Sequence, residues 1–142
     1  MIYILGQVVT MENGHKSKIL VVDDDTHIVS VLKVRLEAND FTVNTAHDGI
    51  EALEKVRREK PDLILLDILM PRMDGSMFLH KMKEEGLMDQ IPVIVLTAKA
   101  SMKEFFLVEG VVDFMVKPFE AKNLLAEIRK NLPKKRLKSS AA

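Results

Sequence analysis

A chain of 142 residues builds one domain of ordinary size around one core and is too short for two comfortable ones. Apolar residues at 47% and charged residues at 30% exclude a disordered tail protein, a collagen-like rod and a coiled coil. The 21 basic and 21 acidic side chains cancel, so no long-range field draws nucleic acid or an anionic membrane, and the lack of cysteine excludes disulfides, thiolate chemistry and Cys-based zinc sites.

In chain order, residues 2–9 are apolar but interrupted by Gly6 and Gln7, far short of a membrane span and without the basic leader of a signal peptide. With the cysteine-free composition, this reads as a soluble cytoplasmic protein. Residues 1–17 close on a polar run and are read as an extension outside the domain, with an added edge strand as the rival. Strands are predicted at 19–22, 42–46, 63–66, 93–96 and 114–116. The runs at 19, 63 and 93 are almost continuously apolar, as strands covered on both faces must be, whereas the one at 42 mixes in polar residues and belongs nearer an edge. Helical spacing fills the intervals: Ile28, Val31, Leu32 and Leu36; Leu53 and Val56; Phe78, Leu79 and Met82; Leu124, Leu125, Ile128 and Leu132. After Leu132, Pro133 stops the last helix, and 133–142 is a basic tail or linker stub. Five βα units with right-handed crossovers form a doubly wound parallel sheet with helices on both faces, which gathers its ligands at the carboxyl ends of the strands.

The residues at those ends carry the chemistry. Asp23, Asp24 and Asp25 follow the first strand, Asp67 the third, Thr97 the fourth, and Lys117 with Pro118 the fifth. Singly, each has an ordinary explanation as a helix cap, a turn residue or a solvated cation. Together, at one edge of one sheet, they collect carboxylates, a hydroxyl and an ammonium, a set that suits a hard cation and a phosphoryl group. Two carboxylates about 5 Å apart repel by roughly 3 kcal/mol at an effective dielectric of ~20, so Asp23, Asp24 and Asp67 need a neutralising partner, and Mg2+ is the expected one. A carboxylate on such an ion can attack phosphorus in line while Lys117 and Thr97 meet the equatorial oxygens. Asp67 is the nucleophile candidate, because the run 63–66 fixes it at the end of a buried strand. His15, His27, His47 and His80 lack metal-ligand spacing, and Met70, Met73, Met77 and Met82 read as gap-filling side chains. The six glycines are scattered, so a phosphate-cradling loop finds no support.

Four stretches, 18–25, 62–75, 91–98 and 113–119, resemble in order the receiver domains of bacterial two-component response regulators, and the likeness covers about residues 18–132. The resemblance implies a flavodoxin-like sheet in the order 2-1-3-4-5. It implies Asp67 as phosphoacceptor, Mg2+ held by Asp24, Asp67 and the Leu69 carbonyl, and Asp23 supporting the metal through water. Lys117 then binds the phosphoryl group, Thr97 is the switch hydroxyl, Phe114 is the aromatic that reorients with it, and the Lys117–Pro118 bond is cis. The implied function is a phosphorylation-dependent switch that catalyses its own phosphorylation and slow dephosphorylation. Its phosphoryl source is a sensor histidine kinase or phosphotransfer protein, and its signal changes the surface of the fourth helix, fifth strand and fifth helix.

Two departures bear on output. From Thr97 to Lys117 the count is 20 positions, short for this family, so the fourth helix is expected to be short or shifted. Its apolar run 105–108 is expected to be buried by a distorted helix, with a partner surface as the alternative. The ten residues after Leu132 are too few for a DNA-binding domain, so if the chain is complete an unknown output protein is reached by protein contact. Neither direct nucleic-acid binding nor membrane association is expected, and the state is a monomer or weak dimer. The alternatives are a receiver-fold interaction module that works without phosphorylation, and the excised regulatory domain of a larger transcription factor or hybrid kinase.

Overall fold

The computed structural model describes residues 16–68, 73–98 and 100–133. Most of the expected 1–17 extension, the 134–142 portion of the tail, and Leu69 lie outside the described residues. Five strands, β1 (Lys18–Val22), β2 (Thr42–Ala46), β3 (Leu63–Asp67), β4 (Val93–Thr97) and β5 (Asp113–Val116), alternate with five helices. These are α1 (Thr26–Glu37), α2 (Gly49–Glu59), α3 (Gly75–Glu84), α4 (Lys103–Val108) and α5 (Ala121–Asn131). The sheet is parallel throughout, in the order β2-β1-β3-β4-β5. The doubly wound α/β fold expected from the sequence is therefore the one formed, with the mixed-polarity β2 at an edge.

The continuously apolar strands follow from coverage on both faces. Side chains alternate along a strand, so Ile19 and Val21 pack with Leu63, Leu65, Ile94 and Leu96 against α1 and α5. Their neighbours Leu20 and Val22 pack with Ile64, Leu66, Val93 and Val95 against α2, α3 and α4. Helix starts are fixed by carboxylate caps, with Asp25, Asp48 and Asp74 each accepting a backbone N–H from the first turn of α1, α2 and α3. Lys60 ends α2 in the left-handed conformation (φ 49°), immediately before Pro61.

Three details differ from the sequence reading. Asp67 and Thr97 are the last residues of β3 and β4 rather than the first after them, since Asp67 is in register with Leu96 and Thr97 with Val116. The buried stripe of α1 is Val29, Leu32 and Leu36, with Ile28 partly covered; Val31 lies on the other flank, 47% exposed. In α4 only Phe106 of the apolar run is buried, while Phe105, Leu107 and Val108 face out, because a helix of six residues offers the sheet less than two turns.

Val31→Lys should therefore leave the unfolding midpoint in urea nearly unchanged, within about 0.5 kcal/mol. Val29→Ala should cost on the order of 1–3 kcal/mol, because it removes buried methyl groups beneath the sheet.

Candidate functional site

Strand ends bring the site together. Asp23 follows β1, its N–H bonded to the Ala46 carbonyl at 3.0 Å, and its carboxylate is buried at 3% exposure. Asp67 closes β3 and Thr97 closes β4, both buried. The Lys117 N–H donates to the Thr97 carbonyl at 2.8 Å, which fixes where the fifth strand ends and its side chain begins. Asp24 is exposed at the rim, and carboxylate oxygens of Asp23, Asp24 and Asp67 all lie within 4.8 Å of one another. Lys117 Nζ sits 3.2 Å from Asp23 Oδ2 and 3.8 Å from Asp67 Oδ1. The Lys117–Pro118 peptide is cis.

Asp25 takes no part in this cluster. Its Oδ1 accepts the N–H groups of His27 (2.9 Å) and Ile28 (3.2 Å), capping α1, while its own N–H donates to Asp23 Oδ1 at 2.9 Å. That last bond ties the cap to the site and orients the Asp23 carboxylate. Phe114 lies inward, 6% exposed, stacked on Phe106 with ring centres 6.3 Å apart. Lacking a hydroxyl, its ring leaves no polar group to satisfy in that position.

Two glycines that spacing alone does not single out shape the segment after Asp67. Gly75 donates its N–H to the Ile68 carbonyl at 2.9 Å, and a Cβ there would stand 2.8 Å from Ile68 Cα. Gly49, the first residue of α2, donates to the Met73 carbonyl at 3.0 Å, and a Cβ would come within 2.7 Å of Met73 Cβ. Both positions admit backbone too close for any side chain. The sequence signal for Gly49 is its place between the cap Asp48 and Glu51, a helix-start pattern in which Glu51 returns to accept the His47 N–H.

Among the described residues three carboxylates share one ammonium, so these groups carry an excess of negative charge in a partly dry place. Burial pushes Asp67 from 3.8 up to about 6, helped by the charges of Asp23 and Asp24 and opposed by Lys117 and the Ile68 N–H. Hard oxygen donors at this spacing suit a small divalent cation, which would relieve the repulsion.

A doubly wound sheet places its ligand site at the carboxyl ends of its strands, and here that edge is acidic and bears a lysine. The response regulator receiver domain matches residues 19–129, and the chain belongs to that family of phosphorylation-dependent switches in two-component signalling. It is 40% identical over 127 residues to the response regulator MprA of Mycobacterium ulcerans, covering 88% of this chain and 54% of that one. To MprA of Mycobacterium leprae it is 42% identical over 114 residues, covering 79% and 49%. The chain thus spans about half the length of the curated relatives it matches. Among solved structures, the CheY-like receiver domain protein of Methanospirillum hungatei aligns with a TM-score of 0.74 at 33% identity, covering 82% of this chain and 93% of that one. TrrA of Thermotoga maritima, solved in complex with Mg2+-BeF, aligns with a TM-score of 0.73 at 30% identity, covering 80% and 97%. Among the described residues, no helix is long and apolar enough to cross a membrane.

The raised pKa of Asp67 has a stability consequence of definite sign. The folded state holds the proton more tightly than the unfolded chain, so this group's contribution is most favourable below pH 4 and is lost as pH rises through about 6. The loss amounts to roughly 3 kcal/mol at most. In EDTA at pH 7.5, Asp67→Asn should be more stable than wild type in urea melts, and the advantage should shrink toward pH 4.

Proposed function

We propose that Asp67 accepts a phosphoryl group from a sensor histidine kinase or phosphotransfer protein, and that Thr97 and Phe114 pass the event to the surface of α4, β5 and α5. The observation that carries this reading is the convergence of Asp23, Asp24 and Asp67 within 4.8 Å, with Lys117 Nζ among them. Asp24 and Asp67, with the Leu69 carbonyl, would hold Mg2+, and Asp23 would support it through water. Bound there, Mg2+ supplies positive charge that the carboxylates and the phosphoryl oxygens share.

An Asp67 oxygen attacks phosphorus as the bond to the nitrogen of a donor phosphohistidine, protonated on its other ring nitrogen, breaks; the bonding pair stays on the released nitrogen, giving an acyl phosphate on Asp67 and a neutral donor imidazole. Lys117 is already within 3.8 Å of Asp67 and turns its ammonium to a phosphoryl oxygen, and Thr97 donates its hydroxyl to another. The same groups assist water in slow hydrolysis of the acyl phosphate. In this reading the domain works in the cytoplasm as a monomer or weak dimer and passes its signal through the surface of α4, β5 and α5.

Acetyl phosphate with Mg2+ should add one phosphate by mass spectrometry. Asp67→Asn should abolish the addition and Asp25→Asn should retain it, since Asp25 caps a helix. An unmodified wild-type protein would instead favour a module that acts without phosphorylation. Thr97→Ala should still be labelled on Asp67 but show smaller NMR shift changes across α4, β5 and α5. Changes as large as in wild type would remove Thr97 from the transmission route.

A further inference from the structure

α4 is unusual in how little of it is buried. Of its six residues only Phe106 is covered, at 0% exposure, while Phe105, Leu107 and Val108 are 50%, 39% and 82% exposed. A helix this short has few internal hydrogen bonds and no side-chain cap on its first turn, so its placement depends on what it packs against. Phe106 packs against Phe114: the rings stack at 6.3 Å with planes 24° apart, and Phe105 meets Phe106 edge-on at 4.8 Å. A line of three rings therefore runs from β5, beside the strand that ends in Thr97, to the surface. The segment is also tied by partly buried Met102, by the solvent-facing ion pair between Lys83 and Glu109, and, past its end, by buried Val111, whose N–H donates to the Phe106 carbonyl at 3.3 Å.

We infer that Phe106 is a positioning residue that makes the seat of Phe114 and the placement of α4 a single equilibrium. Phe114 cannot leave its position without removing the ring on which Phe106 rests, and Phe106 is the one side chain of α4 that the core retains. The apolar face formed by Phe105, Leu107 and Val108 is then presented in one arrangement while Phe114 is inward and in another when it is not. This deepens the proposed function, on which its regulatory meaning rests, by naming the residue through which the Phe114 switch reaches α4. The physical coupling itself exists in the unphosphorylated protein and can be measured there.

Hydrogen exchange over residues 100–110 reads the placement of α4, with residues 121–131 of α5 as the internal control. Phe114→Leu and Phe106→Leu, which preserve apolar volume better than alanine, should each speed exchange in 100–110 by roughly tenfold, with α5 unchanged. The double variant should be no faster than the faster single one, because both remove the same contact. Wild-type rates in either single variant, or a double variant whose acceleration is the product of the two, would overturn the inference. Lys83→Ala should change the rate by less than about twofold; a tenfold change would transfer the anchor to the ion pair and overturn it equally. Mass spectrometry after acetyl phosphate treatment separates the two readings. An unlabelled Asp67 with a non-additive cycle defeats the phosphorylation reading and keeps the coupling, whereas a labelled Asp67 with a multiplicative cycle does the reverse.

Discussion

Three carboxylates held against their mutual repulsion at the edge of a sheet are the constraint around which this domain is organised. Asp23, Asp24 and Asp67 come within 4.8 Å and, among the described residues, have a single ammonium, Lys117, to offset them. The two closest partners are not equal: Lys117 stands nearer Asp23 than Asp67. Burial first, and the charge of Asp23 second, leave Asp67 with a pKa pushed up to about 6, which Lys117 only partly offsets. A carboxylate that is buried, crowded and only partly compensated has less to lose than an ordinary aspartate when its charge is taken up in a covalent or coordinate bond.

Such crowding persists only because the backbone leaves the groups no alternative. β1 and β3 are central strands covered on both faces, and their buried side chains fix the ends from which Asp23 and Asp67 project. β5 is an edge strand, yet its end is fixed too, by the bond from the Lys117 N–H to the Thr97 carbonyl. The glycines at 49 and 75 do the same for the segment after Asp67 by letting backbone approach backbone where a side chain would collide. The apolar core thus offsets the electrostatic cost of the site: burial drives the strands together, and the charges at their ends have to follow.

Sequence pattern revealed the sheet because coverage on both faces leaves a plain mark, four or five apolar residues in succession, and β1, β3 and β4 all bear it. The cluster was legible for a related reason, since in a doubly wound parallel sheet the carboxyl ends of all the strands lie along one edge, and the order β2-β1-β3-β4-β5 sets β1 beside β3. What escaped the pattern depends on rotation and on distance. Val31 and Val29 are equally apolar, and only the angle at which α1 meets the sheet decides that Val29 is covered. Within 105–108 four apolar residues compete for one buried position, and nothing in their order says that Phe106 takes it. Gly49 looks like any helix-start glycine until Met73 is found against it, a neighbour 24 residues away in the sequence.

The short route from Thr97 to Lys117 changes how the fourth helix is attached to the domain. A long amphipathic helix spreads its attachment over several buried side chains, and loss of one contact is absorbed by the rest. α4 has one such side chain, resting on the aromatic of the neighbouring strand. Attachment through a single point makes the helix responsive, because a small displacement at that point moves everything it carries. It also makes the exposed face of Phe105, Leu107 and Val108 hard to keep in place by any other means. The 20-position step from Thr97 to Lys117 thus leaves room for a fourth helix of only six residues, held to the core through Phe106.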